Sequence, residues 1–394
     1  MWFSDFTLVL PDRVIEHGSL RIEDGHIAEI TDAPVPGGIP GRNLCLMPGF
    51  IDMHGDMIEI ELEPRPRVTI PMELALMQLD ARLAASGVTT AYAAVSFSRS
   101  AADGAPRSYE HTSATIRALQ RSRSGLRIDH KIHARFDITF DNAVEVLAAL
   151  VMDGMVDLVS LMDHTPGQGQ YRDIERFVDQ IAHIRGVSEF EARQIVTNKI
   201  AERHRPEAVI LSTLEAVSAV CKANGVSMAS HDDDSPKKAN LMADMGASIS
   251  EFPVTEDAAR IAISRGMMTA MGAPNALRGL SYSGNLSARE AHSKGLLSIL
   301  AADYHPGTIL PAIKILAEAD RSDLSGAVRL ATTNPAEALA LTDRGGLMPG
   351  LRADLVVADL SGIGRAVATF SAGQLAYSSG ILPLSSTAQT LAIA

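Results

Sequence analysis

The stretch Met47-Pro-Gly-Phe-Ile-Asp-Met-His-Gly-Asp56 decides how the rest of the chain is read. Pro48 and Gly49 interrupt the preceding segment, Phe50 to Met53 form a short apolar strand, and His54 and Asp56 stand two residues apart on one side of an extended backbone. An imidazole and a carboxylate side by side at a strand end suit a divalent cation, because neutral imidazole nitrogen and carboxylate oxygen are ordinary ligands of zinc, manganese or iron. Alone, such a pair is more often a strand end hydrogen-bonded to its own loop. The rest of the chain must supply further ligands before the pair means more than that.

Working outward, strand-like runs recur at Gly49–His54, Val88–Ser96, Arg127–Thr139, Val156–Asp163, Val226–His231, Ala247–Pro253, Met267–Gly272 and Leu297–Asp303. Helical patterns lie between most of them, for instance at Met72–Ala85, Ser113–Arg121, Asp141–Met152, Pro236–Met245 and Glu256–Arg265. This alternation predicts an α/β fold, a TIM-like (β/α)8 barrel over 47–346 with its active site at the C-terminal strand ends. The interval from about 169 to 224 is too long for one loop and one helix. Its charged helical segments predict an inserted helical hairpin, read as a lid or an oligomer contact. Both termini carry short β patterns, such as Phe6–Leu10, Gly18–Ile22, Ala353–Leu360 and Gln374–Tyr377, too few at either end to fold alone. One small β-sandwich built from 1–46 and 347–394 is the simplest arrangement.

Composition narrows the classes of function. A net charge of −12 opposes nucleic-acid binding and offers no basic face to a membrane. No run of eighteen apolar residues occurs, and Asp5, Asp12, Arg13 and Glu16 interrupt any leader-like segment, so a cytoplasmic protein is expected. A homo-oligomer such as a dimer is the expected state. Cys45 and Cys221 lack the spacing of a thiolate site and read as apolar filler.

The strand ends gather the chemistry. On the third strand Lys131, His133, Arg135 and Asp137 share one face, a costly run unless its members pair or bind something. His164 ends the fourth strand, His231 with Asp232, Asp233 and Asp234 ends the fifth, and Asp303 ends the eighth just before His305. A single buried histidine would be ordinary; several together with carboxylates at strand ends favour a metal site.

These residues carry a family resemblance. Pro48-Gly-Phe-Ile-Asp-Met-His54, Gly87-Val-Thr-Thr90, Asn334-Pro-Ala-Glu-Ala-Leu339 and Met348-Pro-Gly-Leu-Arg-Ala-Asp-Leu-Val-Val357 resemble the amidohydrolase superfamily over essentially the whole chain. Leu62-Glu-Pro-Arg-Pro66, Leu161-Met-Asp-His-Thr-Pro-Gly-Gln168, Ser230-His-Asp-Asp-Asp234 and Met271-Gly-Ala-Pro-Asn275 are similar to the PhnM family of phosphonate metabolism. That resemblance implies hydrolysis of α-D-ribose 1-methylphosphonate 5-triphosphate to the 5-phosphate and pyrophosphate, within the carbon–phosphorus lyase pathway. The chain departs from the pattern at Gly55, where Thr is expected, at Asp137, where Glu is expected, and at His305, which the pattern lacks.

The expected metal ligands are therefore His54, Asp56, Asp137, His164, His231 and Asp303, holding one or two divalent ions, zinc foremost with manganese or iron as alternatives. His133 and Asp137 lie about 13 Å apart at strand rise, so one ion can take only one of them, and Asp137 is favoured. Lys131 lies roughly 20 Å before Asp137, too far to serve as a carbamylated bridge. Asp303 is the expected proton carrier. The loop after strand seven, with Asn275, Arg278, Ser281, Ser283, Gly284 and Asn285, is rich in donors and expected to hold phosphate, with Arg65 and His305 as further substrate contacts. The competing expectation is an amidohydrolase acting on the C–N bond of a small cyclic amide. A non-catalytic binding protein would be expected to have lost a residue such as Asp303, which is present.

Overall fold

Strands form where the sequence runs apolar without interruption, since a parallel strand covered by helices on one side and barrel interior on the other has no solvent face. The computed structural model describes residues 1–65, 68–97, 109–281, 285–319 and 323–384. From the N-terminus come β1 (Trp2–Val9), β2 (Val14–Glu23), β3 (His26–Thr31), β4 (Ile39–Pro40) and β5 (Cys45–Pro48). The barrel strands are β6 (Phe50–Gly55), β7 (Val88–Phe97), β8 (Asp129–Asp137), β9 (Leu158–Met162), β10 (Ser227–His231), β11 (Ile249–Glu251), β12 (Met268–Gly272) and β13 (Ile299–Ala301). Then β14 (Leu355–Asp359), β15 (Arg365–Ser371) and β16 (Gln374–Ser378) return to the first sheet.

The eight barrel strands pair in parallel and in sequence order, β6 through β13. The ring closes at the catalytic end: the Asp303 amide donates to the His54 carbonyl at 2.8 Å, and the Asp56 amide donates to the Asp303 carbonyl at 2.8 Å. Asp52, fully buried, reinforces this seam by accepting the amides of His54 (3.2 Å) and Ala302 (2.8 Å) on Oδ1. Ile51, Met53, Tyr92, Leu158, Ala229 and Ile249 share one apolar cluster, so the barrel is a packed core rather than a pore. Gly87 stands at φ +87°, and a Cβ there would meet Phe50 at 2.8 Å and Val356 at 2.9 Å, where barrel and small sheet abut.

The terminal strands form one mixed sheet, with β16-β15-β14-β5-β1-β2-β3 in order and β4 beside β1. Its sandwich character comes from folding over itself. Phe3 on β1 and Phe370 on β15, separated in the sheet by β5 and β14, meet edge to face at 5.2 Å. Between 169 and 224 stand three helices. Ile174–Arg185 and Glu189–Arg203 pair as the hairpin, whereas Glu207–Asn224 packs against Val144–Met152 as an ordinary outer helix of the barrel. The second hairpin helix opens with Ser188 and Glu191 exchanging hydrogen bonds as a capping box.

Asp80 ties the helix Met72–Ala85 to the start of β8. Its buried carboxylate accepts the amides of Arg127 (3.0 Å) and Ile128 (3.2 Å) and meets His130 Nε2 at 3.0 Å. Asp80→Ala leaves all three without this acceptor, and the expected cost is about 3 kcal/mol. Urea denaturation should show it as a lower midpoint with an unchanged slope.

Candidate metal centre

The charged face of β8 resolves into separate jobs along its length. At the N-terminal end Lys131 Nζ pairs with Asp157 at 3.3 Å. Next, His133 turns its Nε2 toward Glu251 at 3.6 Å while Nδ1 meets the Met53 carbonyl at 3.1 Å. Arg135 Nη1 then pairs with Asp56 Oδ1 at 2.8 Å. Asp137, at the far end, pairs with Arg203 of the hairpin at 2.8 Å and accepts the Thr139 hydroxyl at 2.6 Å. Asp137, the ligand expected of the third strand, is instead engaged by Arg203 of the hairpin and by Thr139, and His133 is the β8 residue grouped with His54 and Glu251.

Among the described residues two groups of ligand-type atoms converge, each with its donors within 4.8 Å of one another: His54, His133 and Glu251, and His164, His231 and Asp232. The His54 and His231 rings, with centroids 5.6 Å apart, join the groups. These are interior side chains, with Glu251 fully buried and His54 at 1% exposure. His54 Nδ1, His133 Nε2, both oxygens of Glu251, His164 Nε2, both ring nitrogens of His231 and Asp232 Oδ2 have no hydrogen-bond partner among the described residues. Buried polar atoms in such numbers are costly unless something else binds them, and the donor chemistry is that of a zinc, manganese or iron site. The residues therefore fit a divalent metal.

The electrostatics agree. Burial pushes His133 down to about 3 and His164 well below the ordinary histidine range, which leaves neutral imidazoles ready to ligate. Burial opposes charge on His54 too, but the carboxylates of Glu251 and Asp56 outweigh it and lift the ring to about 10. Glu251 is held down at about 2 against its own burial by His133 and His54. Two imidazoles around one buried carboxylate, one of them drawn to the cationic form, mark a position that calls for positive charge.

The backbone is bent to present these groups. Asp232 (φ +54°), Phe252 (φ +53°) and Asp303 (φ +57°), all non-glycine, adopt left-handed conformations just past β10, β11 and β13. Such residues cost about 1–3 kcal/mol each and cluster where function demands a geometry. Asp233 braces two of these strand ends. Its carboxylate accepts the Ser230 hydroxyl, beside His231, and the Ser250 hydroxyl, beside Glu251, the latter at 2.6 Å.

A cavity of about 470 Å³ opens over the groups, its wall including His54, His231, Asp232, Asp303, Asn275, Arg278, Ser281 and Asn285. Of the residues singled out by sequence, His54 lies in the first group, and His164 and His231 in the second. Asp56 and Asp303 line the cavity outside both groups, Asp56 being tied to Arg135. Asn275 and Arg278 are also on the wall, and Asn275 Oδ1 accepts the Ala288 amide at 2.9 Å. Ser283 and Gly284 lie outside the described residues. Arg65 and His305 are exposed and absent from this wall; the chain turns at Pro306, where the His305 carbonyl accepts the Thr308 hydroxyl at 2.7 Å.

Sequence reasoning gave no role to Glu251 or Asp52, placed Asp232 at the end of the fifth strand without counting it among the ligands, and set His133 aside. Glu251 had a readable signal: it is the one charge in Ile249-Ser-Glu-Phe-Pro-Val254, an otherwise apolar strand end.

The parallel barrel thus carries, at its C-terminal strand ends, histidine and carboxylate groups able to hold a divalent metal. The amidohydrolase family model matches residues 45–379, and the chain belongs to that family, whose members bind divalent metals. More particularly, it is 34% identical over 370 residues to the alpha-D-ribose 1-methylphosphonate 5-triphosphate diphosphatase of Escherichia coli (strain K12), covering 91% of this chain and 95% of the relative. That agrees with the motifs resembling the PhnM family. Among solved structures it is similar to the 5-methylcytosine deaminase of Klebsiella pneumoniae, with TM-score 0.65, 16% identity, and coverage of 98% of this chain and 100% of that one. It also resembles the N-acetyl-D-glucosamine-6-phosphate deacetylase of Mycobacterium smegmatis, with TM-score 0.62, 17% identity, and coverage of 95% and 99%. At those identities the likeness is one of fold. No described helix is long and apolar enough to cross a membrane.

Proposed function

We propose that the protein hydrolyses the phosphoanhydride of α-D-ribose 1-methylphosphonate 5-triphosphate, releasing pyrophosphate and leaving the 5-phosphate, as a step of phosphonate catabolism. The observation that carries this reading is the cavity wall: Arg278, Asn275, Ser281 and Asn285 face the ligand groups across one open space, a lining made for a charged, oxygen-rich substrate. The Escherichia coli relative, which is named for that activity, supports it.

In this mechanism His54, His133 and Glu251 would hold one divalent ion, and His164, His231 and Asp232 would offer a second position. When bound, such an ion supplies Lewis-acid activation of water and neutralises phosphoryl charge. Arg278 and Asn275 bind the outer phosphates at the cavity mouth, a guanidinium meeting two phosphate oxygens at once. Asp303 takes the proton of the attacking water. Burial, with Asp56 next, lifts its pKa above the ordinary carboxylate value, which strengthens it as a proton acceptor.

Arg278→Ala is expected to raise KM for a ribose 5-triphosphate about 10- to 100-fold, from the loss of one charged, two-point contact, with metal content unchanged. Steady-state kinetics coupled to pyrophosphate detection measure it. A wild-type KM in that variant, with a cyclic amide as the better substrate of the native enzyme, transfers the assignment to C–N hydrolysis.

A further inference from the structure

We propose that Arg135 is a catalytic residue that grips the phosphoryl group being cleaved, donating from its guanidinium to the non-bridging oxygens of the phosphorus under attack. The inference rests on the phosphoanhydride reading and names the group that makes the site selective for it. In the reaction the water oxygen bonds to the α phosphorus and the bond from that phosphorus to the oxygen bridging the β phosphorus breaks. Pyrophosphate leaves with the electron pair, and one water proton passes to Asp303. Negative charge gathers on the α oxygens, deep in the cavity, where Arg278 at the mouth does not serve them.

Arg135 is placed for that charge. It projects from β8 between His133 and Asp137, is only 6% exposed, and lines the cavity together with His54, Asp56, His231 and Asp303. Its partnering is incomplete. Nη1 meets Asp56 Oδ1 at 2.8 Å, while Nε is buried with no hydrogen-bond partner among the described residues. The neighbours on the same strand face contrast with it: Lys131 is paired at the barrel floor and Asp137 is engaged by Arg203 and Thr139. Removing a guanidinium from water costs several kcal/mol, and a purely structural ion pair recovers this best when every donor is satisfied. A cation set beside positions for divalent ions adds repulsion, which a polyanionic ligand among them relieves. Asp56 then acts as the holder of the guanidinium. A neutral amide would give this buried fork nothing to bind.

The test uses the metal-loaded full-length enzyme with Arg135→Lys, which keeps the charge beside Asp56 but loses the planar fork, and Arg135→Ala. Metal content, binding by calorimetry of ribose 5-phosphate, whose phosphate occupies the place of the group under attack, and kcat for pyrophosphate release are measured on each. Both variants are expected to keep wild-type metal content. Arg135→Lys should bind ribose 5-phosphate at least about 10-fold more weakly and turn over about 10²- to 10³-fold more slowly, the loss typical of one oxyanion donor. Added methylguanidinium should restore part of the Arg135→Ala activity, which a structural role would not allow. Wild-type kcat and ribose 5-phosphate affinity in Arg135→Lys overturn the proposal, as does a loss that excess metal reverses, since the residue would then act only through Asp56. Calorimetry needs no turnover. If the native enzyme releases no pyrophosphate from any triphosphate while ribose 5-phosphate binding still depends on Arg135, the phosphoryl grip stands and only the diphosphatase reading falls.

Discussion

Glu251→Gln is expected to empty the first ligand group, weakening its metal affinity by about 10²-fold or more, because losing even an outer-shell partner costs about 10- to 100-fold and Glu251 is a direct donor candidate. The substitution keeps the shape of a fully buried side chain and removes only the charge that His54 and His133 face at 3.3 and 3.6 Å. A carboxamide carries no charge, and its oxygen is a weak ligand beside a carboxylate. His231→Ala should instead empty the group built with His164 and Asp232. Emission spectroscopy of the two variants separates the groups: each is expected to lose the metal of its own group. Wild-type stoichiometry in Glu251→Gln would remove this residue from the ligand set.

Asp303→Asn is expected to lower kcat by about 10²- to 10⁴-fold on metal-saturated enzyme, with a smaller change in KM, as for loss of a proton carrier. The carboxylate is built into place. Its backbone closes the barrel against His54 and Asp56, its φ of +57° is left-handed, and a Cβ on Gly272 would come within 2.9 Å of its Oδ2. Gly272→Ala should therefore lower kcat in the same direction without altering any titratable group. If Asp303→Asn turns over at the wild-type rate, the proton goes elsewhere.

The barrel was legible because most of its strands are short, largely apolar runs separated by helical patterns, β8 with its alternating charges being the exception, and that pattern survives without knowledge of neighbours. His54, His164 and His231 were candidates because each stands at or just past the end of such a run, and each falls in one of the two groups of ligand-type atoms. Asp137 misled because spacing along β8 says which residues share a face but not what crosses from another element: Arg203, 66 residues on, claims its carboxylate. His133 was set aside by distance along its own strand, whereas its partner, Glu251, comes from the opposite half of the ring. Arg65 and His305 were placed by nearness in sequence to ligands, and the chain carries both to the surface. Convergence across strands is a tertiary property. Only the charge of Glu251, isolated among Ile249, Phe252 and Pro253, hinted at it.

Whether this site cleaves a phosphoanhydride is decided by product analysis of metal-loaded enzyme given α-D-ribose 1-methylphosphonate 5-triphosphate, with phosphorus NMR tracking each resonance. The expected result is one equivalent of pyrophosphate and one of the 5-phosphate, with the phosphonate resonance intact. An unchanged triphosphate alongside hydrolysis of a cyclic amide by the same preparation would contradict the account.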